Sequence, residues 1–245
     1  MMDGSDEQEV RPERRAQMVA HMPTRYSPTL HLAIPALIGF AVLMTAIVRL
    51  QTNVLRPAEL LTIPVTLLLG FGFEWRAHKD ILHRRLPLLG ILYERHELYH
   101  HVIFTDRDMA MRSKREWWFV LMPPYAVVLV FLTLVLPMAI VIEKYVSTNV
   151  AMLVTATSMV FFLSYEWLHL AYHLPADHPI SQWRVIAKLR EHHRRHHDPR
   201  LMKRWNFNVT VPLFDLLHGT TWSPEREEKF RAARALRRGA EKRAT

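Results

Sequence analysis

Histidine is the residue whose number and spacing set the chemistry: the 245-residue chain carries 15, most of them in four tight clusters. The first is His78-x4-His83, within EWRAHKDILH, and the second is His96-x3-His100-His101, within HELYHH. The third is His169-x3-His173, within EWLHLAYH, and the fourth is the run HHRRHH, holding His192, His193, His196 and His197. Imidazole binds iron, copper, zinc and nickel, so the pattern points to metal chemistry without choosing the metal. The chain has no cysteine, which excludes disulfides, iron–sulfur clusters and thiolate-bound haem or zinc. Any metal must therefore be held by nitrogen or oxygen. Ten imidazoles, His78, His83, His96, His100, His101, His169, His173, His193, His196 and His197, would suffice for two ions. His-rich loops also occur in metal transporters, and HHRRHH alone could be basic surface. Isolated His21, His31 and His178 are assigned to surface or interface roles.

Convergence of these side chains depends on the backbone that carries them. Residues four apart share a helix face, so His96 and His100, His169 and His173, and His193 and His197 are expected to converge in pairs. Adjacent His100 and His101 point about 100° apart on a helix and can serve two metals at once. His78 and His83 lie five apart, about 140° off on an ideal helix, so they need a helix end or a π-bulge to meet. The clusters also form a repeat. Glu74-Trp75 precedes His78 and Glu166-Trp167 precedes His169, each followed by a histidine pair and then a triplet. The repeat predicts a pseudo-two-fold arrangement with about five ligands from each half. Glu74, Glu166, Asp198 and Asp215 are candidates to orient imidazole N–H groups; their alternative roles are interfacial charges or helix caps.

The elements that must position these clusters are apolar blocks. Residues 27–48, 60–73, 117–142 and 145–165 contain no Asp, Glu, Lys or Arg. About 20 apolar residues cross a bilayer. The first, third and fourth blocks meet that alone, and the second does so when extended through Pro57, Ala58, Glu74 and Trp75. The expected fold is an all-α integral membrane protein, with about four transmembrane helices in two hairpins that turn near 51–57 and 143–144. Of 32 Lys and Arg, only Arg49, Arg56 and Lys144 fall on the far side of such a bundle. The positive-inside rule then puts both termini and the histidine cap in the cytoplasm. Residues 1–26 read as a polar lead rather than a cleaved signal peptide, and 224–245 as a basic tail with eight Lys/Arg against four Glu.

The order H-x4-H, H-x3-H-H, H-x3-H, H-x2-H-H resembles the fatty acid hydroxylase and sterol desaturase superfamily of membrane oxygenases. Pro123-Pro124, Asn206-Phe207 and the stretch Phe214-Asp215-Leu216-Leu217-His218-Gly219-Thr220 are similar to further motifs of that family. The resemblance covers roughly 60–220 and suggests a membrane domain over 27–223. It implies a cytosolic centre of two metals, iron first and zinc second, bound by the ten histidines, with no catalytic side chain beyond the ligands. It further implies a hydroxylase acting on a C–H bond of a lipid that enters from the bilayer, with oxygen as co-substrate. Desaturation at the same site is the neighbouring reaction. The two electrons per turnover are expected from a separate donor protein, and no nucleic-acid partner is expected. The chain departs from the family at Asn208, where glycine is usual, and at His218, where phenylalanine is usual, so His218 is read as structural. Close relatives of fatty acid 2-hydroxylase space the second triplet x2, which falls on Glu97; His96 is favoured as the ligand and Glu97 kept as an alternative oxygen ligand. His193-x2-His196-His197 matches the family and leaves His192 in doubt. A metal-ion transporter is the rival from another class. Transporters need polar ligands at mid-membrane, whereas the first, third and fourth blocks hold no acidic residue, the second gains Glu74 only when extended, and the dense ligands sit outside them.

Overall fold

The computed structural model describes residues 13–244. The start of the polar lead and the tail side chains beyond Leu236 lie outside the described residues. Among the described residues the architecture is all-helical, and four helices are long and apolar enough to cross a membrane: α1 (Pro28–Arg49), α2 (Pro57–Leu82), α4 (Ala126–Tyr145) and α5 (Thr148–Tyr172). Between α2 and α4 lies α3, residues 90–103, built from the consecutive pieces Gly90–Tyr93, Glu94–His100 and His101–Ile103. After α5 come α6 (Arg184–His196), α7 (Leu213–Leu217) and α8 (Pro224–Ala244).

Local chemistry sets the helix ends. Ser27 caps α1 by accepting the Leu30 N–H at 3.3 Å, with Pro28 in the first turn, and Ser147 caps α5 by accepting the Val150 N–H at 3.1 Å. At 1.5 Å per residue a helix of 22 residues reaches about 33 Å, enough for a hydrocarbon core of about 30 Å. The second span runs to 26 residues, because the apolar block is extended at both ends. The third begins later than the sequence suggested. Residues Trp117–Val120 form a separate short turn, and Pro123-Pro124, which cannot donate helical hydrogen bonds, delay the helix to Ala126.

The most buried span is α5, which packs against α1, α2 and α4 in turn. Gly39 of α1 is part of the reason: a Cβ there would meet the Leu163 side chain at 3.0 Å. Small residues allow such close helix approach where no hydrophobic force separates protein from lipid. By contrast, α2 and α4 stand apart, each resting on α5, and leave a crevice between them.

The histidine-bearing ends of α2 and α5 project into a cap made of α3, the 104–125 segment, α6 and α7. Its apolar centre includes Ile103, Phe104, Met111, Phe119 and Leu121. Within the lead, 13–20 is helical, and Met18, Val19 and Met22 pack on this cluster. Buried Arg15 fixes it, donating to both Glu116 carboxylate oxygens at 2.9 and 2.7 Å and to Asp108 at 2.7 Å. Pairing of this kind is what makes a buried charge tolerable.

Candidate metal centre

All ten histidines are buried, and they fall into two sets of five whose donor atoms lie within 4.8 Å of one another. One set is His78, His83, His96, His101 and His196. The other is His100, His169, His173, His193 and His197. Each half of the chain supplies four members of one set and lends the middle histidine of its triplet, His100 or His196, to the other. The repeat is thus present, with an exchange that the sequence did not suggest.

The convergence of the first half departs from an α-helix. Residues His78–Leu82 form a π turn, which brings His78 and His83 into one set. Residues Glu94–His100 are also π-helical, which pairs His96 with His101 and sends His100 to the other set. The expectation that His96 and His100 converge is corrected accordingly: it assumed α-helical spacing. In the second half, α5 and α6 are regular, and His169/His173 and His193/His197 converge at i,i+4 as expected.

The hydrogen bonds fix the tautomers. The Nδ1–H of His100 donates to the Phe119 carbonyl at 2.9 Å, that of His173 to Met109 at 2.9 Å, that of His196 to Trp205 at 3.0 Å and that of His197 to Phe104 at 2.7 Å. His78 Nδ1 bonds the Phe207 carbonyl in the same way. A carbonyl only accepts, so the proton sits on Nδ1 and the Nε2 lone pair faces inward. The Nε2 atoms then approach each other: His83 and His196 at 3.0 Å, His100 and His197 at 3.1 Å, His78 and His96 at 2.9 Å, His173 and His193 at 3.3 Å.

In the pairs His83–His196 and His100–His197 both Nδ1 protons are fixed, so two lone pairs face each other with no proton between them and repel, and burial opposes adding that proton. Burial first, and neighbouring imidazoles second, push His96, His100, His101, His193 and His197 well below the ordinary histidine range. His173 and His196 shift the same way for the same leading reason. A cation resolves the conflict. With metal–nitrogen bonds of about 2.0–2.1 Å, ligands at right angles stand about 2.9 Å apart and tetrahedral ones about 3.4 Å, the interval observed. The donor set therefore fits two metal ions.

Glu97 belongs to neither set. Its carboxylate accepts from His83 Nδ1 at 2.5 Å and pairs with Lys203 at 2.9 Å. Burial alone would raise its pKa, but these two partners hold it below the ordinary carboxylate range. Glu97 thus orients a candidate ligand rather than serving as one. Glu74 and Glu166 act one step further out. Glu74 accepts the backbone N–H groups of Val209 and Thr210, and Glu166 that of Met122 at 3.1 Å. They hold the peptide segments, 207–210 and 119–122, whose Phe207 and Phe119 carbonyls orient His78 and His100.

Asp215 anchors the first of these segments. It accepts from the N–H groups of Phe207 and Asn208 at 2.9 and 2.8 Å and from the Thr220 hydroxyl at 2.6 Å, and it binds His192 Nε2 at 3.1 Å. His192 therefore stands outside both sets. Asp198 is occupied by Arg200, at 2.5 Å, and touches no imidazole, so its expected orienting role is not realised. His218 stacks on Trp75 at 4.3 Å between ring centroids. His31, expected at a surface or interface, is buried, and bonds the Met122 carbonyl at 2.8 Å and the Tyr26 hydroxyl at 2.8 Å. Asn206 adopts φ 59°, a left-handed conformation that asparagine tolerates better than most residues, between the carbonyl-presenting Trp205 and Phe207.

Residues 63–220 match the sequence profile of the fatty acid hydroxylase family. The chain belongs to that family. No curated protein and no solved structure matches it. For this fatty acid hydroxylase family member, the matched region includes all ten histidines of the two sets, together with Glu74, Glu97, Glu166 and Asp215.

The crevice between α2 and α4 adjoins the centre. It is a largely apolar cavity of about 1170 Å³ that reaches His78. A small void of about 20 Å³ beside His96, His100 and His169 meets it at four shared side chains, Leu82, Leu92, Met122 and Tyr165. Sequence reasoning missed this junction and Lys203. It also missed the orienting carbonyls, which belong to the backbone and leave no residue-type signal.

Proposed function

We propose that the chain hydroxylates an unactivated C–H bond of a membrane lipid, using two metal ions, molecular oxygen and two electrons per turnover. The observation that carries this reading is the junction of cavity and centre: of the ten clustered imidazoles, His78 lines a bilayer-length apolar cavity, and Leu82, Leu92, Met122 and Tyr165 stand between that cavity and the void beside His96, His100 and His169. When bound, the metals supply oxygen activation that no protein side chain provides. The ten imidazoles would hold them, and five per ion exceeds the four of an ordinary structural zinc site, which favours iron.

The protein's own part is positional. The carbonyls of Phe104, Met109, Phe119, Trp205 and Phe207 keep the ligating nitrogens unprotonated. The apolar walls exclude water and align a hydrocarbon chain. The three aliphatic side chains and one phenol at the junction limit which carbon reaches the centre. The Lys/Arg asymmetry supports a cytoplasmic cap and termini, where a separate redox protein would deliver electrons. The dense ligands lie at the ends of the spans, outside the mid-membrane position that ion transport requires.

The test is mass spectrometry of lipids from cells with and without the chain, grown under isotopically heavy oxygen. A lipid that gains one heavy oxygen atom is the expected result. An alkene without heavy oxygen would reassign the chemistry to desaturation. An unchanged lipid profile, with metal flux into vesicles that contain the protein, would overturn the reading.

A further inference from the structure

The cavity has two unlike ends. At the cap end the carboxylate and the imidazole that line the cavity are already engaged. Glu74 is used by Val209 and Thr210, and His78 by the Phe207 carbonyl and the donor set. The rest of that end carries no charge: apart from the Tyr165 phenol it is apolar, including Ala77, Ile81, Leu82 and Leu92. The opposite end, across the membrane, is polar. There Glu59 is turned into the protein: it accepts the Ser147 hydroxyl at 2.6 Å, the Arg56 N–H at 2.9 Å and the Asn149 amide at 3.4 Å. The Arg56 guanidinium also lines the cavity, is exposed, and donates to no acceptor among the described residues. A free guanidinium at the mouth of an apolar cavity suits a carboxylate or another oxyanion, which it can grip through two parallel N–H bonds.

Length then restricts the chain attached to that group. Arg56 precedes the first residue of α2, and His78 lies near its last turn. At 1.5 Å per residue they are separated by roughly 30 Å, the full thickness of the hydrocarbon core rather than one leaflet. The volume, about 1170 Å³, also exceeds the usual range for small-molecule sites, about 300–1,000 Å³.

We propose that the cavity takes a single extended chain close to the bilayer thickness in length, with an acidic end group held by Arg56. Oxidation then falls at or near the apolar end remote from that group. The proposal rests on the reading of this cavity as the substrate site.

The experiment is photolabelling of the full-length purified protein with two fatty acids that carry a terminal diazirine. One matches a single leaflet and the other is roughly twice as long. Labelled peptides are then mapped. The longer probe is expected to label the cap end, at Leu82, Met122 or Tyr165, and the shorter to stop midway, at positions such as Leu69 or Leu134. Arg56→Gln should weaken binding of the longer probe about tenfold, the loss of one charge-assisted contact. Arg56→Lys should retain most of it, and the methyl ester of the longer probe should bind Arg56→Gln and unsubstituted protein alike.

Cap-end labelling by the shorter probe would overturn the assigned orientation. Labelling indifferent to Arg56→Gln would show that this side chain only reaches to the lipid headgroups, and would also overturn the proposal. Because labelling needs no turnover, either failure leaves the hydroxylase reading standing. Correct labelling without heavy-oxygen product would remove that reading and keep the assignment of the cavity.

Discussion

A neutral imidazole offers a metal only the nitrogen that its proton has left, so whatever binds the other nitrogen decides the ligand. Carbonyls do this for His78, His100, His173, His196 and His197, and a carboxylate does it for His83. The carboxylate, a charged acceptor, holds His83 more firmly than a carbonyl would. Glu97→Gln should accordingly weaken the metal held by the His83 set about 10–100-fold, as loss of an outer-shell partner does elsewhere, and spare the other. Metal content after dialysis against graded chelator measures this, and equal loss from both sets would contradict it. The buried histidines also predict how the metal-free protein responds to pH. The folded pKa values of His100 and His197 lie below the ordinary 6.5, so below about pH 6.5 the unfolded chain binds more protons than the folded one. The stability of the metal-free form is therefore full above that pH and lost as pH falls through it. Metal protects, because it competes with the same protons. Thermal melts of both forms between about pH 8 and pH 5 test the sign: the metal-free midpoint should fall first.

The two halves of the chain solve one geometric problem with different helices. His78-x4-His83 is one residue longer than His169-x3-His173, and from His96 to His101 is one residue longer than from His193 to His197. In both cases the longer member is π-helical and the shorter α-helical. A π turn absorbs the extra residue and keeps the second histidine on the same face as the first. Deleting Lys79 should let His78–Leu82 relax to α-helix, restore four-residue spacing, and leave the metal content near that of the unaltered chain. Deleting Leu170 from regular α5 has no such reserve: His173 turns about 100° away and its set loses metal. Metal analysis of the two purified variants decides the point, and equal loss would refute it. That His78 and His83 need a helix end or a π-bulge to meet was legible from the spacing, as were the four spans, because hydropathy and helix period are local signals. The second π-helix was not legible, since His96 and His100 satisfy α-helical spacing too. Nor was the exchange of His100 and His196, which arises from how the halves pack and not from either half alone.

At the scale of the molecule, the charge asymmetry from which a cytoplasmic cap is proposed also marks the cap's outer surface, where the proposed carrier would deliver electrons. The basic helix α8 is seated on that surface. Trp222 donates to Glu227 at 2.6 Å, and the Arg204 guanidinium lies 3.0 Å from the Phe230 ring centroid. Arg204 is joined in sequence to Trp205, whose carbonyl orients His196. Through this contact α8 itself, rather than a carrier docked on it, lies one peptide unit from an orienting contact of the candidate metal centre. Redox encounters are commonly steered by opposite charge, and salt weakens such steering. Neutralising Arg234, Arg237 and Arg238 together should raise the concentration of an acidic carrier needed for half-maximal rate in neutral-lipid proteoliposomes, with the maximal rate kept. Added salt should reproduce the shift in the unaltered chain and have less effect in the variant. The use of neutral lipid matters, because a basic helix also binds anionic bilayers, at about 1 kcal/mol per Lys or Arg near the surface. If the substitutions change membrane association with anionic vesicles but leave carrier dependence in neutral ones untouched, α8 is a membrane contact and electrons arrive by another face of the cap.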